Sequence, residues 1–232
     1  GMNDLASAKA SFKDQAVIFS RKHNWIMCIL YLGTFGSFIG FAAGFPLLIK
    51  SQFTGIDPVK YAFLGPLVGA LARPFGGWIS DKIKSGALIT QFVFIGMIVA
   101  VCGVIFFLPS NGEGGNFWGF FACFLALFAL TGIGNGSTFM QVPVIFLNMH
   151  QKFAEEGKVS EEQARLDATK EGAAVIGFTA AFAAYGGFFI PKSYGTSIDL
   201  TGGVNAALIG FIIFYAICAA LNWWYYTRKG AE

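Results

Sequence analysis

The sequence predicts an all-α membrane protein, a bundle of six transmembrane helices. Three observations carry that expectation. Hydrophobic residues make up 55% of the 232 residues and charged ones only 12%, whereas soluble domains run at about 45–50% and about 25%. Six apolar runs reach the roughly 18 residues that a span requires. None of the six alternates as the ~10-residue strands of a membrane barrel would.

Taken in order, residues 1–24 form a charged, partly amphipathic lead that lacks the apolar core of a signal peptide. Gly1 ahead of Met2 reads as a tag-cleavage scar, with Met2 as the start. The transmembrane domain is expected over 25–227, with spans at 25–49, 61–80, 87–108, 117–147, 173–190 and 204–226. In the first span Gly36, Gly40 and Gly44 recur every fourth residue, a bare face suited to close helix contact. Pro109–Asn116 is a turn dense in Gly and Asn. Residues 149–172 read as a polar cytoplasmic loop whose Glu, Lys, Arg and Ala content suggests a short helix. Ile190–Gly203 reads as a second outside loop, and Trp223, Trp224, Tyr225, Tyr226 and Arg228 as the anchor of the last span.

The net charge of +3 is small, so its placement matters more than its size. With the N-terminus inside, twelve Lys and Arg fall on inside segments and three (Lys50, Lys60 and Lys192) on outside ones. That bias places both termini of a multi-pass membrane protein in the cytoplasm. The lipid bilayer is the expected environment, and no nucleic-acid partner is implied. The four cysteines fall inside spans without paired spacing, so free buried thiols are expected rather than disulfides or a metal site. His23 and His150 sit at span ends, where interfacial roles are expected. No nucleophile–base pair shares a span, which argues against an enzyme, and no cofactor is indicated.

One charge does not fit this pattern. Arg73 lies about seven residues, or roughly 10 Å, from the inner end of its span. A charge at that depth costs about 2.5–3.5 kcal/mol on insertion scales. An arginine there either snorkels to the headgroups or finds a partner. None of the thirteen Asp and Glu residues falls well inside a span, so the chain encodes no carboxylate for it. An anion is the partner that remains, matched by the planar fork of the guanidinium. The missing acids also disfavour proton or sodium coupling and favour exchange of one anion for another.

Two further groups accompany Arg73. Tyr31 and Phe35 are four apart on one face of the first span, placed to donate to and to wall a bound anion. The fourth span holds "TGIGNGSTFMQVP", in which Gly134, Asn135, Gly136 and Ser137 form a polar, glycine-dense patch. No strand precedes it, so it is not a nucleotide loop. Helix packing and contact with a ligand both remain open for these glycines.

The stretches "YLGTFGSFIGFAAGFPLL", "GPLVGALARPFGGWISDK", "TGIGNGSTFMQVPVIF" and "GFTAAFAAYGGFFIPKSYGTS" together resemble the nitrate/nitrite porters (NarK-type) of the major facilitator superfamily. That family has twelve spans, and this chain is similar to its C-terminal six. The resemblance implies one half of a major facilitator fold and a nitrate or nitrite substrate. It implies that Arg73 binds the anion, that Tyr31 and Phe35 contact it, and that Asn135, Gly134, Gly136 and Ser137 belong to a glycine-rich nitrate signature. It makes Gly77, Asp81 and Lys82 a gating motif, Asp81 holding neighbouring helix ends. Ala180 departs from the serine expected there, which puts a fifth-span hydrogen bond to substrate in doubt. The family's site uses an arginine from each half, and this chain offers one. The resemblance therefore implies a homodimer, a heterodimer with a separate N-terminal half, or a truncated piece of a longer carrier. A non-transporting anion-binding module is the alternative.

Overall fold

The computed structural model describes residues 16–109 and 114–228. The greater part of the lead and the tip of the Pro109–Asn116 turn therefore lie outside the described residues. Among the described residues there are no strands, and six long helices make up the fold. They are α1 (Lys22–Gln52), α2 (Leu64–Ile83), α3 (Gly86–Phe107), α4 (Phe117–Glu155), α5 (Glu161–Thr201) and α6 (Asn205–Thr227). α1 is not uniform: Leu32–Gly36 winds as a π-helical turn between two α-helical stretches. α5 breaks after Ala183 and resumes at Gly186.

Local chemistry sets the ends. Asn116 opens α4 by accepting from the backbone N–H groups of Trp118 and Gly119. Ser160 caps α5 through Gln163 N–H, and Glu161 and Glu162 sit in the first turn, where the helix dipole favours them. α2 stops at Lys84, which adopts a left-handed conformation at φ 56°, and Ser85 then caps α3.

Among the described residues, five helices are long and apolar enough to cross a membrane. α2 does not reach that apolarity, because Arg73, Asp81, Lys82, four glycines and two prolines share its twenty residues. It still extends about 30 Å. Two expectations for the connections need correction. Residues 149–172, read as a loop with a short helix, are helical except for 156–160. Their Ala, Glu, Lys, Gln and Arg are strong helix formers, so α4 and α5 extend past their apolar stretches. Ile190–Gly203, read as an outside loop, is helical as far as Thr201. Its hydroxyls donate to carbonyls of the helix, Ser193 to Phe189 at 2.6 Å and Thr201 to Ser197 at 2.7 Å, so the polarity does not end it. Lys192 consequently lies inside a helix, about 14 Å from its end by rise per residue. Arg73 is therefore not alone in a helix interior.

α4 is the central element, packed against α2, α3 and α5. A column of phenylalanines joins it to α1, with the Phe45 and Phe124 rings stacked at 4.4 Å. α1 and α5 cross at bare backbone: a Cβ on Gly186 would run into the backbone of Gly36. Of the thiols, Cys28 and Cys218 are buried as expected, whereas Cys102 is exposed and Cys123 half-buried. All four are free.

Candidate functional site

α4 presents two opposite faces within its glycine-rich stretch. At about 100° per residue, positions 132, 135 and 136 fall on one side and 134, 137 and 138 on the other. The first side meets α2. A Cβ on Gly132 would strike the Gly69 backbone, and one on Gly136 would strike the Arg73 carbonyl. These glycines let the two helices touch backbone to backbone, which fixes Arg73 relative to Asn135.

The second side turns inward. Gly134 lies against Thr34 and Val93. Ser137 is fully buried, shares a hydrogen bond of 2.8 Å with Thr90 and donates to the Gly134 carbonyl. Gln141 extends the chain by donating to Thr90. Gly134 and Ser137 therefore join α4 to α1 and α3 and do not line the cavity beside Arg73.

That cavity, about 200 Å3, is lined by Phe38, Gly69, Ala70, Arg73, Gly132 and Asn135. The Tyr31 hydroxyl donates to Asn135 Oδ1 at 2.8 Å. With its oxygen occupied, Asn135 has its amide N–H groups left to donate. Tyr31 stacks on Phe35 at 5.2 Å and 29°, and the Arg73 guanidinium carbon lies 6.0 Å from the Phe35 ring centre. A cation at that range over an aromatic face is attracted by the ring quadrupole. Tyr31, Phe35, Arg73 and Asn135 are thus brought together, but the Tyr31 proton is committed to Asn135, so Tyr31 orients the amide.

Arg73 is exposed. The ion pairs among the described residues are Arg21–Glu171, His150–Glu171 and Lys158–Glu156, none of which includes it. The guanidinium faces the cavity with its donors uncommitted, and with Asn135 it offers a planar oxyanion converging N–H groups beside an aromatic wall. Phe38, Gly69 and Ala70 are cavity residues beyond those expected from the sequence, whereas Gly132 belongs to the glycine-rich stretch expected to approach a ligand or a crossing helix. Gly69 precedes Arg73 by four, a spacing that could have found it, whereas Phe38 lies beyond the π-helical turn Leu32–Gly36, across which regular helical spacing from Tyr31 does not carry.

The residues of the gating motif separate. Gly77 meets nothing where a Cβ would stand. Asp81 lines a second cavity, about 380 Å3, together with Lys84, Gln141, Asn148 and Tyr226. Lys82 does not pair with Asp81 but lies 5.1 Å over the Trp78 ring.

The chain is 44% identical over 229 residues to the nitrate/nitrite transporter NarU of Escherichia coli K12, covering 99% of this chain and 49% of that protein. It is 42% identical over 229 residues to the probable nitrate/nitrite antiporter NarK2 of Thermus thermophilus, covering 97% and 46%. A nitrite extrusion protein of Bacillus subtilis is 27% identical over 230 residues, covering 95% and 49%. The chain thus spans about half the length of these relatives. No family profile matches it.

Proposed function

Because the chain belongs to the NarK-type nitrate/nitrite porters and corresponds to their C-terminal half, we propose that it is a half-carrier for nitrate and nitrite. A second six-helix unit completes it, supplied by another copy or by a separate N-terminal half. The observation that carries this reading is Arg73, a cation at a cavity with Asn135 and Phe35 and without a carboxylate partner among the described residues.

In this reading Arg73 neutralises the anion, Asn135 donates to it, Tyr31 holds Asn135 in register and Phe35 lies against the planar ion. Dehydrated, fixed donors favour a small planar anion over larger, strongly hydrated ones. Rocking of the two halves exposes the site to either side of the inner membrane in turn, and both termini face the cytoplasm. Without a carboxylate in the site, exchange of nitrate for nitrite accounts for the coupling.

The test is uptake of labelled nitrate into liposomes loaded with nitrite. The chain alone should support uptake that Arg73→Ala removes, if two copies make the carrier. Binding of nitrate without uptake by the chain alone, restored by adding an N-terminal half, selects the heterodimer. Absence of both binding and uptake in either format overturns the half-carrier.

A further inference from the structure

A different cluster, at the end of the bundle where α1 begins, involves three charged or titratable groups that the anion site does not use. Arg21, just ahead of α1, grips Glu171 of α5 with both arms of its fork. Its Nε donates to Oε2 at 2.9 Å and its Nη2 to Oε1 at 2.8 Å. Glu171 is only 8% exposed, so its charge is held largely by this contact. The same contact stabilises the charged form of Arg21 and raises its pKa above the usual value. His150 of α4, 3% exposed, brings its Nε2 to 3.3 Å from the shared Oε1 yet completes no hydrogen bond. The Phe153 ring closes the cluster: His150 meets it edge-on at 5.5 Å, and the Arg21 and Lys158 cations lie over it at 5.6 and 5.4 Å.

A buried imidazole this close to a carboxylate, but off the line of a hydrogen bond, changes its interaction on taking up a proton. Neutral, it leaves Glu171 to Arg21. Protonated, it gives Oε1 a second cationic donor across a gap already near bonding distance. We infer that Arg21, Glu171 and His150 form a proton-sensitive clamp that ties the start of α1 to the α4–α5 elbow and tightens on acidification. Of the charged groups around the cluster, Arg21 comes from the α1 side and binds Glu171, Asp167 of α5 acts through its charge on Arg21, and Lys158 of the elbow lies over the Phe153 ring. The carboxylate beside His150 Nε2 is that of Glu171, and Lys158 pairs with Glu156. Because α1 carries Tyr31 and Phe35 while α4 carries Asn135, the clamp sets the relative placement of the two helices that share the anion cavity. The inference stands whether or not the chain transports nitrate.

Spin labels on Ser20→Cys and Glu162→Cys, with the native cysteines replaced, report the gap in lipid nanodiscs by pulsed dipolar spectroscopy. The expected result is a distance distribution at least twofold narrower at pH 6 than at pH 8. His150→Gln should remove that response and leave the pH 8 width unchanged. Glu171→Gln should broaden the distribution at both pH values. Equal widths at the two pH values in the parent chain, or a response that survives His150→Gln, would overturn the clamp. If Glu171→Gln does not fold, the His150→Gln comparison alone decides.

Discussion

Two arginines in this chain face opposite circumstances. Arg21 sits where the chain enters the bundle, and Glu171, 150 residues away in sequence, meets it with a two-pronged ion pair. Arg73 sits in the middle of α2, where a charge is harder to accommodate, and no carboxylate among the described residues reaches it. Arg21 is held by a partner the chain encodes, so it acts on the chain itself. Arg73 has an aromatic face, an amide and a cavity beside it, and in the proposed function its counter-charge is the transported anion. The difference teaches that what surrounds a cation, an encoded carboxylate or a cavity with an amide and an aromatic face, separates a structural arginine from a candidate binding one.

The strongest test of that contrast is Arg73→Ala. Removing the charged donors costs about 1.5–3 kcal/mol, so nitrate affinity of the purified chain, read by titration calorimetry, should fall roughly 10- to 150-fold. Arg73→Lys keeps the charge but loses the planar fork, and should cost about tenfold. If either variant binds nitrate as the parent does, the contrast between the two arginines fails.

Tyr31→Phe sharpens the comparison within the site. It keeps the stacking on Phe35 and deletes the hydrogen bond to Asn135. A loss of about 0.5–1.5 kcal/mol is expected, or about two- to tenfold in nitrate affinity. Ser137→Ala should have the smallest effect on binding, within about twofold, because Ser137 turns toward Thr90. Its cost of about 1 kcal/mol should appear instead as a lower thermal midpoint of the folded chain. A larger effect of Ser137→Ala on nitrate affinity than of Tyr31→Phe would reverse the assignment of the two faces of α4.

Much of the site was legible because helix spacing and charge accounting act locally. Tyr31 and Phe35 share a face at a spacing of four, and Arg73 is conspicuous in any sequence whose acids avoid the spans. The direction of Ser137 and Gly134 was not legible. A glycine-rich run on α4 visits every side of the helix, and only the positions of α1, α2 and α3 decide which side is cavity and which is core. For Lys192 and residues 149–172 polarity is a poor marker of where a helix ends. Ser193 and Thr201 instead satisfy themselves along α5, and the Ala- and Glu-rich stretch winds on past the apolar zone. His150 looked interfacial because a span end usually is; that Glu171 and Phe153 enclose it depends on how α4 and α5 pair.

The wide turn at Leu32–Gly36 has a consequence for α1 as a rotating part. One extra residue in a helical turn advances everything beyond it by about 100°. Ser37–Gln52 therefore runs out of phase with the stretch that ends at Tyr31. Rewinding that single turn would swing Phe38 away from the cavity and Gly40 away from Gly186, while Tyr31 kept its hold on Asn135. The helix is thus two gears on one shaft, and the five residues between them set the angle at which they mesh.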